Sequence, residues 1–284
     1  MRTPGNCEKG FTAIELIAVV AVIVVLTGIL IPTLAKTKSA DDAAVCVRNM
    51  RELVTAWQLY AGNYEDRVCN NFTIPATQEA ITTKTFDNWA NNLMTWSTTG
   101  LEGQSVTNKE WLKSGVLGKF SSDPVRMYKC PADTYLSAAQ KRLNWEKRFR
   151  TYAMNAFCGR NDRSPTSGNG RSWADPSYRQ LLSLADFPNP QKIWVTIEEH
   201  ADSLNDGFFI VQLNATTWGD LPASYHKGAC NFSFADGHVE THPWRSSRSK
   251  IRVTANTFPT PQPFDAAGKQ DYQWYKERTG YVRY

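Results

Sequence analysis

The stretch Lys9-Gly10-Phe11-Thr12-Ala13-Ile14-Glu15 decides the fold, because apolar residues follow it without another charge as far as Ile31. Residues 11–31 would form about 31 Å of helix at 1.5 Å per residue, which is enough to span a bilayer. A carboxylate near the middle of a bilayer costs about 2.5–3.5 kcal/mol. The sequence therefore predicts a transmembrane helix in which Glu15 has a partner.

This pattern resembles the leader and first helix of type IV pilins and type II secretion pseudopilins, and the matching residues are Gly10, Phe11, Thr12, Ile14, Glu15 and Leu16. Pro32 also falls where helices of that family often carry a proline. The resemblance implies that a prepilin peptidase cleaves between Gly10 and Phe11 and methylates the new amino terminus. It also implies that Glu15 acts in assembly, by pairing with the Phe11 amine of an adjacent subunit. Ala13 stands where the family usually has Leu, and we do not expect this to prevent processing.

Two other interpretations of the apolar segment remain open. A secretory signal peptide would be cleaved after its apolar core, and Thr33-Leu34-Ala35 could be such a site. A plain uncleaved anchor is the second alternative. Neither accounts for Glu15 or for the Gly10-Phe11 junction, so the prepilin interpretation is favoured.

The composition places the rest of the chain among water-soluble globular proteins. Hydrophobic residues make up 42% of the 284 residues, which is ample for a packed core. We predict a leader over residues 1–10, a helix over 11–62 and a globular head over 63–284. The helix is predicted to be transmembrane over 11–31 and amphipathic over 32–62.

Charge and cysteine content predict where the two ends lie. Arg2 and Lys9 outweigh Glu8 in the leader, which indicates a cytoplasmic N-terminus. The protein is therefore expected to cross the inner membrane once, with its head in the periplasm or outside the cell. Its six cysteines fit an oxidising compartment. Their spacing does not assign the pairs, and Cys130 with Cys158 is a guess.

The amphipathic segment predicts how the helix meets the head. Apolar residues recur there at alternating spacings of three and four, at Ala40, Ala43, Val47, Met50, Val54, Trp57 and Ala61. Such a stripe is typical of a helix that packs one face on another element. A coiled coil is the alternative, but the repeat is short. The predicted fold class is therefore α+β, with the long helix packed on an antiparallel sheet.

The clearest local signal is a β-hairpin near the C-terminus. Strands are expected over 230–235 and 238–242, joined by Asp236-Gly237 in a type I′ turn. A two-residue loop would pair Phe234 with Val239 and Phe232 with Thr241. Those four side chains are expected to share the core face of the hairpin.

The same region extends the resemblance to pilin-like proteins. His226, nine intervening residues and then Asp236-Gly237 match a signature found in a subset of that family. Three further segments look like the same subset: 130–133 (Cys-Pro-Ala-Asp), 152–155 (Tyr-Ala-Met-Asn) and 271–279. The subset brings no established enzymatic activity, so the protein is not expected to be an enzyme. No role is assigned to His226, Asp236 or Gly237.

Metal and nucleic-acid sites are weighed against plainer interpretations. A metal site could draw on His226, Asp236, His238, Glu240 and His242. A solvated strand face is favoured, with His226 hydrogen-bonded to Asp236 or a carbonyl. Calcium could bind the loop Asp202, Asn205, Asp206, Gly207, although a surface turn is favoured. The expectation is thus no metal or other cofactor, with calcium as the open alternative. The basic run from 245 to 252 lacks interleaved aromatic residues, so no nucleic-acid partner is expected.

These observations lead to a functional prediction. The protein is expected to be a subunit of a type II secretion pseudopilus or a type IV pilus-like filament. Its expected partners are prepilin peptidase, other pilin-like subunits, the membrane and an inner-membrane assembly platform. The alternative is a membrane-anchored or secreted module that binds carbohydrate or another surface ligand without polymerising. A hydrolase that uses the His226 and Asp236 region is the third hypothesis.

Overall fold

The computed structural model describes residues 12–164, 171–172 and 174–283, and it describes residues 28–39 by their backbone only. The chain divides into two compact units, Met1–Asp41 and Asp42–Tyr284. The boundary between the units lies inside the first helix.

The helices differ greatly in length. Within the described ranges they are α1 (Ala13–Asn63), α2 (Ile74–Thr82), α3 (Gly100–Thr107), α4 (Lys109–Lys113), α5 (Ala138–Arg142) and α6 (Ala266–Lys276). Helix α1 has 51 residues. The other helices are short, from 5 residues in α4 to 11 in α6. Single 3₁₀ turns lie at Gly118–Phe120, Arg126–Tyr128, Leu184–Asp186, Pro190–Lys192 and Ser247–Ser249.

The first unit corrects two predictions from the sequence. No helix in the described part of the chain is both long and apolar enough to cross a membrane. The predicted transmembrane span over 11–31 is therefore wrong. The predicted single-pass location in the inner membrane is not supported either.

In the second unit, α1 is an amphipathic helix. Met50, Val54, Trp57 and Ala61 of the predicted stripe are fully buried. Cys46, Leu53 and Ala56 widen that stripe and are equally buried, whereas Ala40, in the first unit, is exposed. The wider stripe places an apolar face of α1 against the core of this unit.

The sheet is mixed, so the predicted antiparallel sheet is also wrong. Its strands are β1 (Tyr152–Asn155), β2 (Trp194–Glu198), β3 (Phe208–Phe209), β4 (Ala229–Phe234) and β5 (Val239–Pro243), in the order β3-β1-β2-β4-β5. Strand β3 runs parallel to β1, and the other pairs are antiparallel. The class remains α+β, but its sheet topology and membrane span differ from the prediction.

The sheet is covered on both faces. Trp57 and Met50 of α1 belong to the same core cluster as Tyr152 and Val195. A second cluster contains Trp194, Ile197, Phe232, Trp218 and Tyr275, the last of these from α6. Every residue of β1, β2 and β4 is consequently buried.

The C-terminal hairpin exists, but its predicted register is wrong by one residue. The observed pairs are Ser233 with Val239 and Phe232 with Glu240. A type I′ turn needs positive φ at both central residues. Among the turn residues only Gly237 has it, at φ 96°. The loop is therefore longer than two residues, and Phe232 and Val239 belong to different core clusters.

Two glycines allow a matched test of the fold. Gly159 has φ +79°, and a Cβ there would lie 2.2 Å from the carbonyl oxygen of Cys69. Gly62 lies in α1 with open space around it. Gly159→Ala should lower the free energy of unfolding by about 1–3 kcal/mol. Gly62→Ala should raise it by up to about 1 kcal/mol, because alanine favours a helix. Urea denaturation measures both values, and shifts of the same sign would contradict the positive φ of Gly159 and the helical position of Gly62.

Candidate functional site

Four metal-ligating side chains meet inside the second unit. They are Cys46, Cys130, Glu198 and His226, all buried, and their ligand atoms lie within 4.8 Å of one another. We refer to them as the Cys-Glu-His cluster. The four residues come from segments that are distant in sequence, so only the folded chain brings them together.

Regular elements position two members of the cluster. Cys46 lies on the buried face of α1, one turn before Met50. Glu198 is the last residue of β2, and its register partner in β1 is Tyr152. The core between α1 and the sheet therefore holds the Cys46 thiol against the carboxylate of Glu198.

Tight turns position the other two members. Cys130 starts the Cys-Pro-Ala-Asp segment, and its carbonyl oxygen accepts a 3.2 Å hydrogen bond from Asp133 N. His226 starts a turn that leads into β4, closed by a 3.1 Å hydrogen bond from Ala229 N to the His226 carbonyl. Lys227 and Gly228 between them have φ of 56° and 85°. Positive φ at both central positions is the geometry of a type I′ turn.

The contacts within the cluster converge on two atoms. Glu198 Oε1 lies 2.8 Å from Cys46 Sγ and 2.8 Å from His226 Nε2. His226 Nε2 also lies 3.4 Å from Cys130 Sγ. The other carboxylate oxygen, Glu198 Oε2, accepts a 2.7 Å hydrogen bond from Asn231 N. The backbone of β4 therefore holds Oε2, while Oε1 faces the thiols and the imidazole.

Electrostatics in the cluster favour neutral thiols when no metal is bound. Burial raises the pKa of Cys46 to about 11 and raises the pKa of Cys130 well above its ordinary value. Burial alone would lower the pKa of His226. Hydrogen bonds to Cys130 and Glu198, with the charge of Glu198, overcome that effect and raise it to about 10. The imidazolium of His226 then donates to Glu198.

The cluster lacks the geometry of a thiol-based catalytic triad. In such a triad the nucleophile and the carboxylate contact different nitrogens of the imidazole. Here Cys130 and Glu198 both face Nε2 of His226. A reactive cysteine also needs a lowered pKa and access to solvent, whereas Cys130 is fully buried and its pKa is raised. The donors are instead of the kinds that bind zinc: thiolate, imidazole and carboxylate.

The structure does not bring His226 and Asp236 together, so the predicted hydrogen bond between them is wrong. His226 precedes β4 and Asp236 follows it, and a strand of that length separates its ends by about 20 Å. Asp236 Oδ1 instead accepts hydrogen bonds from the backbone N and the Nδ1 of His238, at 3.2 and 2.6 Å. Gly237 supplies the positive φ of this turn. Asp236 and Gly237 thus shape the hairpin loop.

The predicted processing and assembly residues lie in the first unit. Gly10 and Phe11 fall outside the described residues. Glu15 is exposed, and its carboxylate accepts hydrogen bonds from Thr12 N at 2.8 Å and Thr12 Oγ1 at 2.9 Å. Thr12 Oγ1 in turn accepts from Glu15 N at 3.3 Å. These reciprocal bonds form a capping box that starts α1, and the Thr12 backbone bond lowers the pKa of Glu15.

The acidic loop considered for calcium is buried, so its predicted place in a surface turn is wrong. Asp202 accepts hydrogen bonds from Thr254 N at 2.7 Å and from Ala255 N at 2.9 Å. Asp206 Oδ1 accepts from Phe208 N at 3.2 Å, and burial raises the pKa of Asp206 to about 7. By accepting hydrogen bonds from backbone N–H groups, these carboxylates stabilise the loop.

Sequence reasoning missed three members of the cluster. Cys130 is named there only in the Cys-Pro-Ala-Asp segment and in a guessed disulfide, whereas Cys46 and Glu198 are not singled out at all. The guessed disulfide between Cys130 and Cys158 is wrong, because every described cysteine is a free, buried thiol. One signal in the sequence could have indicated the cluster. Cys46 lies four residues before Met50, at the spacing of the buried face of α1, and Cys130 and His226 offer two further ligands.

Comparisons with protein-family models, curated proteins and solved structures find no match for this chain. The resemblance to pilin-like proteins therefore remains an interpretation of the sequence motifs.

His242, another candidate ligand from the sequence, lies outside the cluster. Its environment predicts how the stability of the fold depends on pH. Its ring stacks on Trp274 with centroids 3.8 Å apart. Burial lowers the pKa of His242 to about 4. The positive charges of Arg278 and Arg245 lower it further, whereas the negative charge of Asp271 raises it. The unfolded chain, with a histidine pKa of about 6.5, binds more protons across that window, so stability falls as the pH drops from about 6.5 to 4.

His242→Phe and His242→Gln should both remove this contribution. The free energy of unfolding of each variant, relative to the native protein, should rise as the pH is lowered through the window. Urea denaturation at several pH values measures this difference. A difference that does not change with pH would contradict the neutral state of His242 in the fold.

Proposed function

We propose that this protein is a pilin-like subunit that is processed after Gly10 and assembles through the first part of α1. The filament would be a type II secretion pseudopilus or a type IV pilus-like fibre. The observation that carries the proposal is the apolar surface of α1 around Glu15. Prepilin peptidase, other pilin-like subunits and an assembly platform are the partners that this function requires.

The apolar surface of α1 needs a partner. The large apolar side chains between Ile14 and Leu26 are 49–79% exposed in the single chain. Contiguous apolar patches on soluble units mark surfaces that other molecules cover. Apolar side chains here point to every side of the helix, which suits a bundle of several helices better than one flat interface. We therefore assign the same segment of other subunits as the occupant.

Glu15 would determine how neighbouring helices of such a bundle are aligned along their axes. It is the only carboxylate among residues 12–31, and its carboxylate is accessible at the start of α1. Cleavage after Gly10 would create a positively charged amine at Phe11. An ion pair between that amine and Glu15 of a neighbour would be less screened in a dry bundle than in water. The pair would favour one axial stagger between neighbouring helices.

Processing can be tested on the protein made in cells that contain a prepilin peptidase. Intact-mass spectrometry should find a chain that begins at a methylated Phe11. Gly10→Val should leave the leader in place, because the enlarged side chain blocks the cleavage junction, and Gly5→Val is the matched control in the same leader. A mature chain that starts at Lys36 would instead favour a secreted, non-polymerising module. Retention of Met1 in the native protein would contradict processing.

Assembly can be tested with a photo-crosslinking amino acid at Ile17, which is 68% exposed. The expected product is a ladder of crosslinked subunits. The same probe at Leu143, an exposed apolar residue of the second unit, should give none. Glu15→Leu should reduce the ladder about tenfold, equivalent to losing about 1.4 kcal/mol per contact.

Two control variants make the crosslinking result specific. Glu15→Asp keeps the charge and should retain most of the ladder. Glu65→Leu removes an exposed carboxylate of the second unit and should not change it. A full ladder from Glu15→Leu would refute the ion pair. The absence of any ladder from position 17 would refute assembly through α1.

A further inference from the structure

We propose that Cys46, Cys130, Glu198 and His226 bind a zinc ion inside the second unit. The inference goes beyond the proposed assembly and does not depend on it, because all four residues lie within Asp42–Tyr284. The ion would be structural. It would link α1, the Cys-Pro-Ala-Asp turn, the end of β2 and the turn before β4.

The distances between ligand atoms fit one tetrahedral ion. Zinc binds sulfur at about 2.3 Å and nitrogen or oxygen at about 2.0–2.2 Å, so neighbouring ligand atoms lie about 3.3–3.8 Å apart. In the cluster they all lie within 4.8 Å. The two contacts at 2.8 Å are shorter than the tetrahedral value, and the contact at 3.4 Å falls within it. Shifts of about 1 Å or less per atom would complete the site.

Hydrogen bonds satisfy Glu198, but the Cys130 thiol and Glu198 compete for one nitrogen of His226. When His226 Nε2 carries a proton and donates to Glu198 Oε1, it cannot accept a proton from the Cys130 thiol. When it carries none, it cannot donate to Glu198. The same nitrogen faces both groups, and lone pairs aimed at one point are what a metal ion requires. Zinc binding would displace both thiol protons and the Nε2 proton.

The surroundings support the ligands. Asn231 N donates to Glu198 Oε2 and so orients Oε1 toward the cluster. The Tyr152 hydroxyl lies 3.1 Å from Cys46 Sγ, where it would donate to a thiolate. Two thiolates and one carboxylate exceed the charge of Zn²⁺ by one, and these two donors would offset that excess. Such partners around the ligands typically fix their orientation and strengthen metal binding.

The donor set selects the metal. Calcium and magnesium prefer oxygen ligands only, whereas thiolate and imidazole favour zinc among the common divalent ions. All four positions are filled by protein, and every ligand is buried, which is the closed arrangement of structural zinc sites. A catalytic zinc would keep one position open for water or substrate.

The test measures metal in the full-length protein, purified in mild detergent without added metal or chelator. Inductively coupled plasma mass spectrometry should find about one zinc ion per folded chain. Cys46→Ser, Cys130→Ser and His226→Gln should each lower zinc content at least tenfold. Cys158→Ser is the matched control, since it alters an equally buried thiol outside the cluster. Unchanged zinc in the three cluster variants would overturn the proposal.

Cobalt provides a second measurement that does not depend on the variants folding. Metal-free native protein titrated with Co²⁺ should develop thiolate-to-cobalt charge transfer and tetrahedral d–d bands, and zinc should then displace the cobalt. Two results would overturn the proposal: absence of the charge-transfer band, or a Cys46–Cys130 disulfide in the native protein by non-reducing peptide mapping. Failure of filament assembly would leave both metal measurements unaffected, so the two proposals are distinguishable.

Discussion

The structure of the second unit depends on how a buried carboxylate is stabilised. Glu198 is fully buried at the end of β2, and an ionised carboxylate in the interior is costly unless it is paired and hydrogen-bonded. Its two oxygens are satisfied by groups from three directions: Asn231 N, the imidazole of His226 and the thiol of Cys46. Each group comes from a different element, so the interactions of one side chain require α1, β4 and the turn before β4 to be in place together.

Because the cluster requires several distant elements to be in place together, it is difficult to predict from the sequence. The amphipathic stripe that buries Met50 and Trp57 follows from local periodicity, and the existence of the C-terminal hairpin follows from its turn residues. The cluster follows from none of these, because Cys46 and Glu198 are brought together by packing across 152 positions of the chain. The hairpin register failed for a related reason. It depends on whether Asp236 takes a positive φ, and Asp-Gly permits turns in which it does not.

The membrane prediction failed at a different level. Hydropathy identifies residues 11–31 as one apolar run of sequence, but no helix in the described part of the chain is both long and apolar enough to cross a membrane. The predicted antiparallel sheet failed because β3 has only two residues, Phe208 and Phe209, and no periodicity in the sequence reveals a parallel strand of that size. The α+β class was recoverable because it needs only the kinds of elements present, whereas topology needs their pairing.

Helix α1 meets two different physical demands along its length. Between Cys46 and Ala61, contacts with the sheet stabilise it, so the helix is amphipathic and its buried residues recur at spacings of three and four. Between Ile14 and Leu26, apolar side chains are exposed on every side, and isolated helices gain little stability without packing. Under the proposed function, contacts with a second molecule would stabilise this first segment. If that molecule is another subunit, assembly and ordering of this segment must be thermodynamically coupled, and weakening one weakens the other.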